Sequence, residues 1–162
     1  MDSLEILGEL DELNCFLGFA KSFTADCKFI NLISGIQDDI FLMQAEIGCP
    51  VEVIRRPRKI QEKDILRIQQ KTVNFETRVP PLQTFVVPEG DSFVCSLQVA
   101  RTIARRVERK VINNPVKLNS FIATYLDRLA GLLFAMARFV NQQNGFSERS
   151  PQYSKKQGGF QE

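Results

Sequence analysis

The feature that most constrains the fold of this chain is a run of apolar residues spaced by alternating steps of four and three. The longest run comprises Leu118, Ile122, Tyr125, Leu129, Leu132, Met136 and Phe139. Since an α-helix has about 3.6 residues per turn, these positions fall on one side of a single long helix. Apolar residues off this stripe predict that the helix is central or lies at a subunit interface; they are Phe121, Leu126, Leu133 and Phe134.

The same spacing predicts four more helices. The first is predicted over residues 3–22, with Ile6, Leu10, Leu13, Leu17 and Ala20 on its apolar side. The second contains Ile33, Ile36, Ile40, Met43 and Ile47 and stops at Gly48 and Pro50. The third, which is shorter, contains Ile65, Ile68, Thr72 and Phe75 and ends before Pro80 and Pro81. The fourth begins at a cap on Asp91 or Ser92, contains Phe93, Leu97, Ala100, Ala104, Val107 and Val111, and ends at "NNP", residues 113–115.

Helical spacing and short connections together predict an all-α fold, an up-and-down five-helix bundle with four long helices and a shorter one. A chain of 162 residues that is 44% hydrophobic and 25% charged fits one globular domain. We expect the bundle domain to occupy residues 1–143. Residues 144–162 are polar and rich in Gly, Ser and Lys, which predicts a mobile tail.

Composition also bears on location. No run approaches the roughly 18 consecutive apolar residues of a membrane span, so no membrane partner is expected. The start "MDSLEILGELDELN" is acidic where a secretory signal would be basic, which predicts a cytoplasmic protein. The four cysteines are scattered without a CxxC pair, and Cys15 and Cys95 are expected to be buried apolar residues. Neither a disulfide framework nor a zinc site is predicted.

The chain contains no histidine. This excludes Ser-His-Asp and Cys-His catalysis as well as metals held by histidine. Any chemistry must use carboxylates, arginines, lysines and backbone groups, or a reactive cofactor.

The fourth predicted helix contains an unusually basic stretch, "VARTIARRVERKV" at residues 99–111. Arg101, Arg105 and Glu108 lie at positions i, i+4 and i+7 and share one face of the helix. One interpretation is an ion pair between Arg105 and Glu108 on a solvated surface. The other is a pair of guanidinium groups set to bind phosphate oxygens in a bidentate manner.

A third hypothesis is a nucleic-acid or acidic-partner surface made of residues 101–109 and the "RRPRK" loop at residues 55–59. The basic residues are split between two regions and lack interleaved aromatic residues, which argues against it. The net charge of +2 adds no support, and no nucleic-acid partner is predicted.

Two other helices carry polar residues in apolar surroundings. In the first helix Asp11, Asn14 and Gly18 share one face, as an ordinary solvated stripe would. In the last helix Asp127 lies among large apolar residues, with Arg128 and Gly131 beside it. A buried carboxylate needs a partner or a ligand, and an arginine of the fourth helix would suffice.

Five blocks of the chain carry a resemblance to a known family. They are "GELDELNCFLGFAK", "IQDDIFLMQAEIGCP", "PPLQTFVVPEGD", "VARTIARRVER" and "YLDRLAGLLFAMARF". In this order they resemble the PduO-type ATP:cob(I)alamin adenosyltransferases over residues 4–141. The resemblance implies a five-helix bundle that forms a homotrimer, with ATP and a corrinoid bound between subunits. It also implies transfer of the 5'-deoxyadenosyl group of ATP to cobalt, with release of triphosphate.

The resemblance assigns roles to particular residues. Arg101 and Arg105 match the catalytic arginines, which bind ATP together with Glu108 and Asp127. Asp11 matches the catalytic aspartate that pairs with Arg101 across a subunit boundary. Phe85 matches the phenylalanine that displaces the lower axial ligand of cobalamin. ATP, cobalamin and Mg²⁺ are the implied ligands, and no residue of the chain is assigned as a metal ligand.

The chain departs from the family pattern in three places. It starts after the "TGDxGxT"-like phosphate-binding loop that family members carry. Asp127, Ala130 and Gly131 stand where the family has asparagine, serine and aspartate, and Glu89 stands where it has glycine. Two interpretations remain open: a fragment of an ordinary enzyme, or a diverged relative that binds a corrinoid or forms a structural trimer without catalysing transfer.

Overall fold

The computed structural model describes residues 3–48, 58–114 and 118–152. These residues form five α-helices and no strand: α1 (Ser3–Lys21), α2 (Cys27–Gly48), α3 (Glu62–Glu76), α4 (Ser92–Ile112) and α5 (Ser120–Gln143). The prediction of an all-α protein with four long helices and a shorter one is confirmed.

Local sequence determines where several helices begin. The Asp91 carboxylate accepts a hydrogen bond from the Val94 N–H at 2.8 Å, so the predicted cap of α4 is present. Asn119 caps α5 in the same way, accepting from the Phe121 N–H at 3.1 Å. At the start of α3 the Asp64 carboxylate accepts from the Gln61 N–H at 3.0 Å. Each cap satisfies a backbone donor that the first turn of a helix leaves unpaired.

The helix α5 lies at the centre of the bundle. It packs against α4 and α3, while α1 packs against α4 and α2. The predicted apolar stripe of α5 is buried from Ile122 to Phe139, and the off-stripe Leu126 and Leu133 are buried as well. By length and composition alone α5 could cross a membrane. Its burial between α3 and α4 is what the core helix of a bundle shows.

A buried polar network joins α2, α3 and α5. Asp39 of α2 accepts hydrogen bonds from the Tyr125 hydroxyl at 2.5 Å and from Arg67 of α3. Burial, and then the Asp39 charge, raises the pKa of Tyr125 well above its usual range. Burial alone would raise the pKa of Asp64, but hydrogen bonds from Arg58 and the Gln61 N–H outweigh it, and the pKa is lowered. The network therefore contains paired charges rather than isolated ones.

Part of the basic stretch of α4 fastens this helix to α1. Arg106 donates to Glu9 at 2.5 Å and also to Glu12. Lys110 donates to Glu5 at 2.5 Å and to Glu9 at 2.7 Å. We call these pairs the α1–α4 ladder. Arg106 and Lys110 are therefore neutralised by glutamates of the same chain. This argues against a basic surface available to bind nucleic acid.

The expectation for the cysteines is wrong. Cys15 and Cys95 are exposed free thiols, as is Cys27. Cys15 lies two residues after the buried Leu13, which turns it to the opposite side of α1. Cys49 and the other residues from 50 to 57 lie outside the described residues.

The first residues after α5 lie against the bundle. The Phe146 N–H donates to the Asn141 carbonyl at 2.8 Å, and the Val87 N–H donates to the Arg149 carbonyl at 2.8 Å. Residues 153–162, the remainder of the predicted mobile tail, lie outside the described residues. The domain boundary at residue 143 stays a prediction.

Candidate functional site

A cleft of about 750 Å³ opens between α3, α4 and α5. Arg101 and Arg105 line it from α4, one helical turn apart, as their spacing predicts. The remaining lining residues come from α3 and α5 and are Gln69, Thr72, Val73, Glu76, Asp127, Arg128, Ala130, Gly131 and Phe134. Two guanidinium groups on one wall make this cleft a candidate site for an anion.

The side chain of Arg101 is positioned by neighbours but has no ionic partner in the described part of the chain. Its Nε donates to Gln98 Oε1 at 2.7 Å, and its guanidinium carbon lies 5.8 Å from the centre of the Phe134 ring. Burial, and then the neighbouring Arg105, lowers the pKa of Arg101 below its usual value. A negatively charged ligand would relieve both effects.

Arg105 is paired with two carboxylates. Its Nη1 lies 3.5 Å from Glu108 Oε2 and 3.4 Å from Asp127 Oδ1. The Arg105–Glu108 ion pair of the first interpretation is present, although the Glu108 side chain is only 13% exposed rather than solvated, and an arginine of the fourth helix does meet Asp127. Asp127 is not buried, however, because 39% of its side chain is exposed on the wall of the cleft. Asp127 also contacts Arg128, at 3.4 Å.

Small residues open the α5 wall of the cleft. A Cβ atom placed on Gly131 would meet nothing within 4 Å, so this position faces free space. Ala130 beside it lines the same cleft. With no side chain at Gly131, the cleft keeps room for a ligand next to the arginines.

Phe85 lies beside this cleft. Its side chain is 81% exposed. It belongs to a hollow of about 580 Å³ that residues 82–86 form with Arg101 and Phe134. Because Arg101 and Phe134 line both cavities, the hollow with Phe85 adjoins the cleft at Arg101.

The other predicted site residues are placed differently. Glu108 lies behind Arg105 and does not line the cleft, and its side chain is 13% exposed. Asp11 is exposed on α1, and it does not line the cleft either. The structure thus places Arg101, Arg105 and Asp127 in one cleft and Phe85 in the hollow that adjoins it at Arg101, and it leaves Asp11 outside both.

Sequence reasoning missed several lining residues. Phe134 was identified only as an apolar residue off the stripe of α5, and this was the available signal that a second face of that helix has a role. Gln98, which holds Arg101, is buried one turn before it. The contribution of α3 depends on how that helix packs against α5, which its own sequence does not reveal.

The described residues contain no group of three or more cysteine, aspartate or glutamate side chains able to hold a metal ion. Glu108 and Asp127 both lie against Arg105. The fold and the cleft define a class: a helical-bundle protein with an arginine-lined candidate site for an anion, next to a loop with an exposed phenylalanine.

Comparison with known proteins identifies the family. A sequence model of the family described as cobalamin adenosyltransferase matches residues 2–140. The chain belongs to this family, and the resemblance drawn from its five sequence blocks is confirmed.

Curated relatives of the chain are named corrinoid adenosyltransferases. The chain is 33% identical over 146 residues to a corrinoid adenosyltransferase of Mycobacterium leprae, covering 84% of this chain and 76% of the relative. It is 30% identical over 155 residues to that of Bacillus subtilis, covering 91% and 79%. It is 31% identical over 157 residues to the corrinoid adenosyltransferase PduO of Salmonella typhimurium, covering 93% of this chain and 47% of that longer protein.

A solved structure shares the fold. It is a variant PduO-type ATP:corrinoid adenosyltransferase from Lactobacillus reuteri complexed with cobalamin and ATP. The TM-score is 0.84 at 25% sequence identity, over 93% of this chain and 86% of that one.

Proposed function

We propose that this chain is an ATP:corrinoid adenosyltransferase that transfers the 5'-deoxyadenosyl group of ATP to the cobalt of a reduced corrinoid. The observation that carries the proposal is the arginine pair in the cleft, where Arg101 has no carboxylate partner in the described chain. An arginine that is partly desolvated and lacks a counter-charge is prepared for an anionic ligand. Triphosphate is the anion that this reaction releases.

The proposed role of Arg101 and Arg105 is to stabilise the triphosphate as negative charge develops on it. As the bond from cobalt to the 5'-carbon forms, the bond from that carbon to the triphosphate oxygen breaks. The leaving group takes that electron pair, and preorganised guanidinium groups lower the barrier for its departure. Glu108, at 3.5 Å from Arg105, orients that guanidinium from behind.

The proposed reaction suits a chain without histidine. A reduced corrinoid supplies a strongly nucleophilic cobalt, so no side chain has to act as a general base. The protein must position two substrates and stabilise a leaving group. Carboxylates and arginines, which this cleft contains, are sufficient for that work.

We assign Phe85 to the corrinoid side of the site. Its exposed ring, next to Arg101 and Phe134, gives an apolar surface where a lower axial ligand of cobalt would otherwise coordinate. Exclusion of that ligand favours the reduced, nucleophilic state of the metal.

We further propose a homotrimer in which Asp11 pairs with Arg101 of a neighbouring subunit. Support comes from two complementary groups: Asp11 is exposed on α1, and Arg101, whose guanidinium has donors enough for a carboxylate and a phosphate oxygen together, has no carboxylate partner among the described residues. A contact of this kind, between different surfaces of two subunits, closes into a ring when the rotation between them is right.

Mg²⁺ fits this site only as a companion of ATP. Glu108 and Asp127 are already paired with Arg105, and Mg²⁺ is commonly held by substrate phosphates with few protein ligands. We place the reaction in the cytoplasm, where ATP is available. The exposed free thiols Cys15, Cys27 and Cys95 suit that reducing compartment.

A second candidate is a corrinoid-binding or structural trimer without transferase activity. The observation that favours it is the double pairing of Arg105, since Asp127 and Glu108 occupy the guanidinium that triphosphate would need.

An anaerobic assay with ATP, Mg²⁺ and chemically reduced cob(I)alamin separates the two functions. We expect absorbance changes that report formation of the cobalt–carbon bond, and we expect Arg105→Ala to abolish them while circular dichroism stays unchanged. Full activity in Arg105→Ala would refute the role of this arginine. A folded wild-type protein that binds cobalamin and does not convert it would favour the second candidate.

A further inference from the structure

The segment that follows α5 holds the loop that carries Phe85. We propose that residues 145–150, here called the C-terminal strap, position this loop for the corrinoid, and that the pair Glu89–Arg149 closes the strap. This inference rests on the proposed function. It assigns Glu89 and Arg149 as positioning residues rather than catalytic ones.

The strap contacts the loop on both sides of Phe85. The Val87 N–H donates to the Arg149 carbonyl at 2.8 Å. The hydroxyl groups of Thr84 and Ser150 lie 2.7 Å apart and share a hydrogen bond. Residues 84 and 87 are thus tied to the strap, and Phe85 lies between them.

The second half of the loop is fixed at Glu89. The Glu89 carboxylate accepts a hydrogen bond from Arg149 of the strap, and its backbone carbonyl accepts from Asn141 Nδ2 at 2.8 Å. The next residue, Gly90, has φ +151°, and a Cβ there would lie 2.4 Å from Asn141 Oδ1. Only glycine fits this close approach of the loop to α5.

The strap is itself anchored to the bundle through Arg138 of α5. Arg138 Nε lies 3.1 and 3.2 Å from the two carboxylate oxygens of Glu148, and its Nη2 donates to the Pro80 carbonyl at 2.9 Å. One guanidinium therefore joins the strap to the first part of the loop. Only 10% of its side chain is exposed, so this anchor is sheltered from water.

The position of Phe85 depends on these contacts because the Phe85 side chain is 81% exposed and packs little by itself. The strap also accounts for Glu89, one of the departures from the family pattern. Glu89 has a partner in Arg149, and the two charges lie on the two segments that must stay together. Without the Glu89–Arg149 pair, only the hydrogen bonds of Thr84 and Val87 would join the loop to the strap. We expect these two bonds to be less well aligned than in the wild type.

A charge-swap series in the full-length chain tests this inference. The variants are Arg149→Glu, Glu89→Arg and the double swap; Lys63→Glu, at the far end of α3, makes the same charge change as Arg149→Glu. Hydrogen exchange of peptides covering residues 82–90 measures how firmly the strap holds the loop. Dissociation constants for cob(II)alamin and for ATP measure the effect on ligand binding at the site. Turnover is measured separately.

We expect each single variant to accelerate exchange in residues 82–90 and to weaken cob(II)alamin binding about two- to five-fold, the range for a partly exposed ion pair. ATP binding should match the wild type in every variant, and Lys63→Glu should match it in all measurements. The double swap should restore both the hydrogen exchange of residues 82–90 and the affinity for cob(II)alamin. This pattern would support the role of the strap even if the wild-type protein showed no turnover. The absence of turnover would overturn the proposed function and would leave the inference about the strap standing.

Two results would overturn the inference. Unchanged exchange in Arg149→Glu would mean that the pair does not hold the loop. Faster exchange with unchanged cob(II)alamin affinity, or a wild-type protein that binds no cob(II)alamin, would mean that the strap does not serve the corrinoid.

Discussion

Asp127 is predicted to weaken ATP binding, and Asp127→Asn should strengthen it. The Asp127 carboxylate lies 3.4 Å from Arg105 on the wall of the cleft. A triphosphate that pairs with Arg105 must break this ion pair, and it must also meet the repulsion of the carboxylate that stays on the wall of the cleft. Asparagine keeps the size of the side chain and removes the charge, so it separates these electrostatic costs from shape.

The expected gain follows from two contributions. Both side chains of the pair are well exposed, at 47% and 39%, and such pairs contribute about 0.2–1 kcal/mol, which ATP would no longer have to replace. One unit of like charge about 4 Å from a phosphate costs about 1 kcal/mol in a water-like dielectric. The sum is about 1–2 kcal/mol, which corresponds to about 5- to 30-fold tighter ATP binding.

Isothermal titration of ATP into wild type and Asp127→Asn measures this gain. Asp38→Asn, the same change at an exposed position of α2, is the matched control and should leave the affinity unchanged. The gain should shrink at high ionic strength, because exposed charges are screened. Weaker ATP binding by Asp127→Asn would refute the reasoning, since it would mean that the carboxylate contributes directly to holding the nucleotide.

Three further predictions concern stability. Asp39→Ala should lower the free energy of unfolding in urea by about 3 kcal/mol, because the buried Tyr125 hydroxyl and Arg67 lose their acceptor; a loss below about 1 kcal/mol would contradict this. The pKa of Asp64 is lowered on folding, so its stabilisation is present above its unfolded value, 3.8, and is lost as the pH falls through the lower folded value. Acid titration of stability should therefore be shallower in Asp64→Asn, and an identical slope would show that another group is responsible. Gly131→Ala should raise the melting temperature slightly, because the added methyl group meets no atom and alanine favours the helix by about 1 kcal/mol over glycine. A lower melting temperature would argue against the open space described at this position.

The helices could be predicted from the sequence because their cause is local. Residues such as Leu132 and Val107 recur with the period of a helix, so they fall on the apolar face of their helix. That face is the one buried in the bundle. The cap at Asp91 depends only on a donor three residues later. Fold class and helix boundaries therefore followed from short-range rules.

The candidate site was only partly predictable because its pairs join distant segments. The spacing of Arg101 and Arg105 put them on one face, but the contacts of Arg106 with α1 depend on the register between α1 and α4. The lining residues of α3 and the approach of Phe85 likewise require the packed structure. The exposure of Cys15 has a different origin: it was predictable from the sequence, because this residue lies off the inner stripe of its helix.

The α1–α4 ladder has a consequence for assembly. Because Arg106 and Lys110 bind glutamates of α1, four ion pairs among the described residues join the helix with Asp11 to the helix with Arg101 within one subunit. In the proposed trimer each subunit would then present an acidic group to one neighbour and a basic group to the other from the same pair of joined helices.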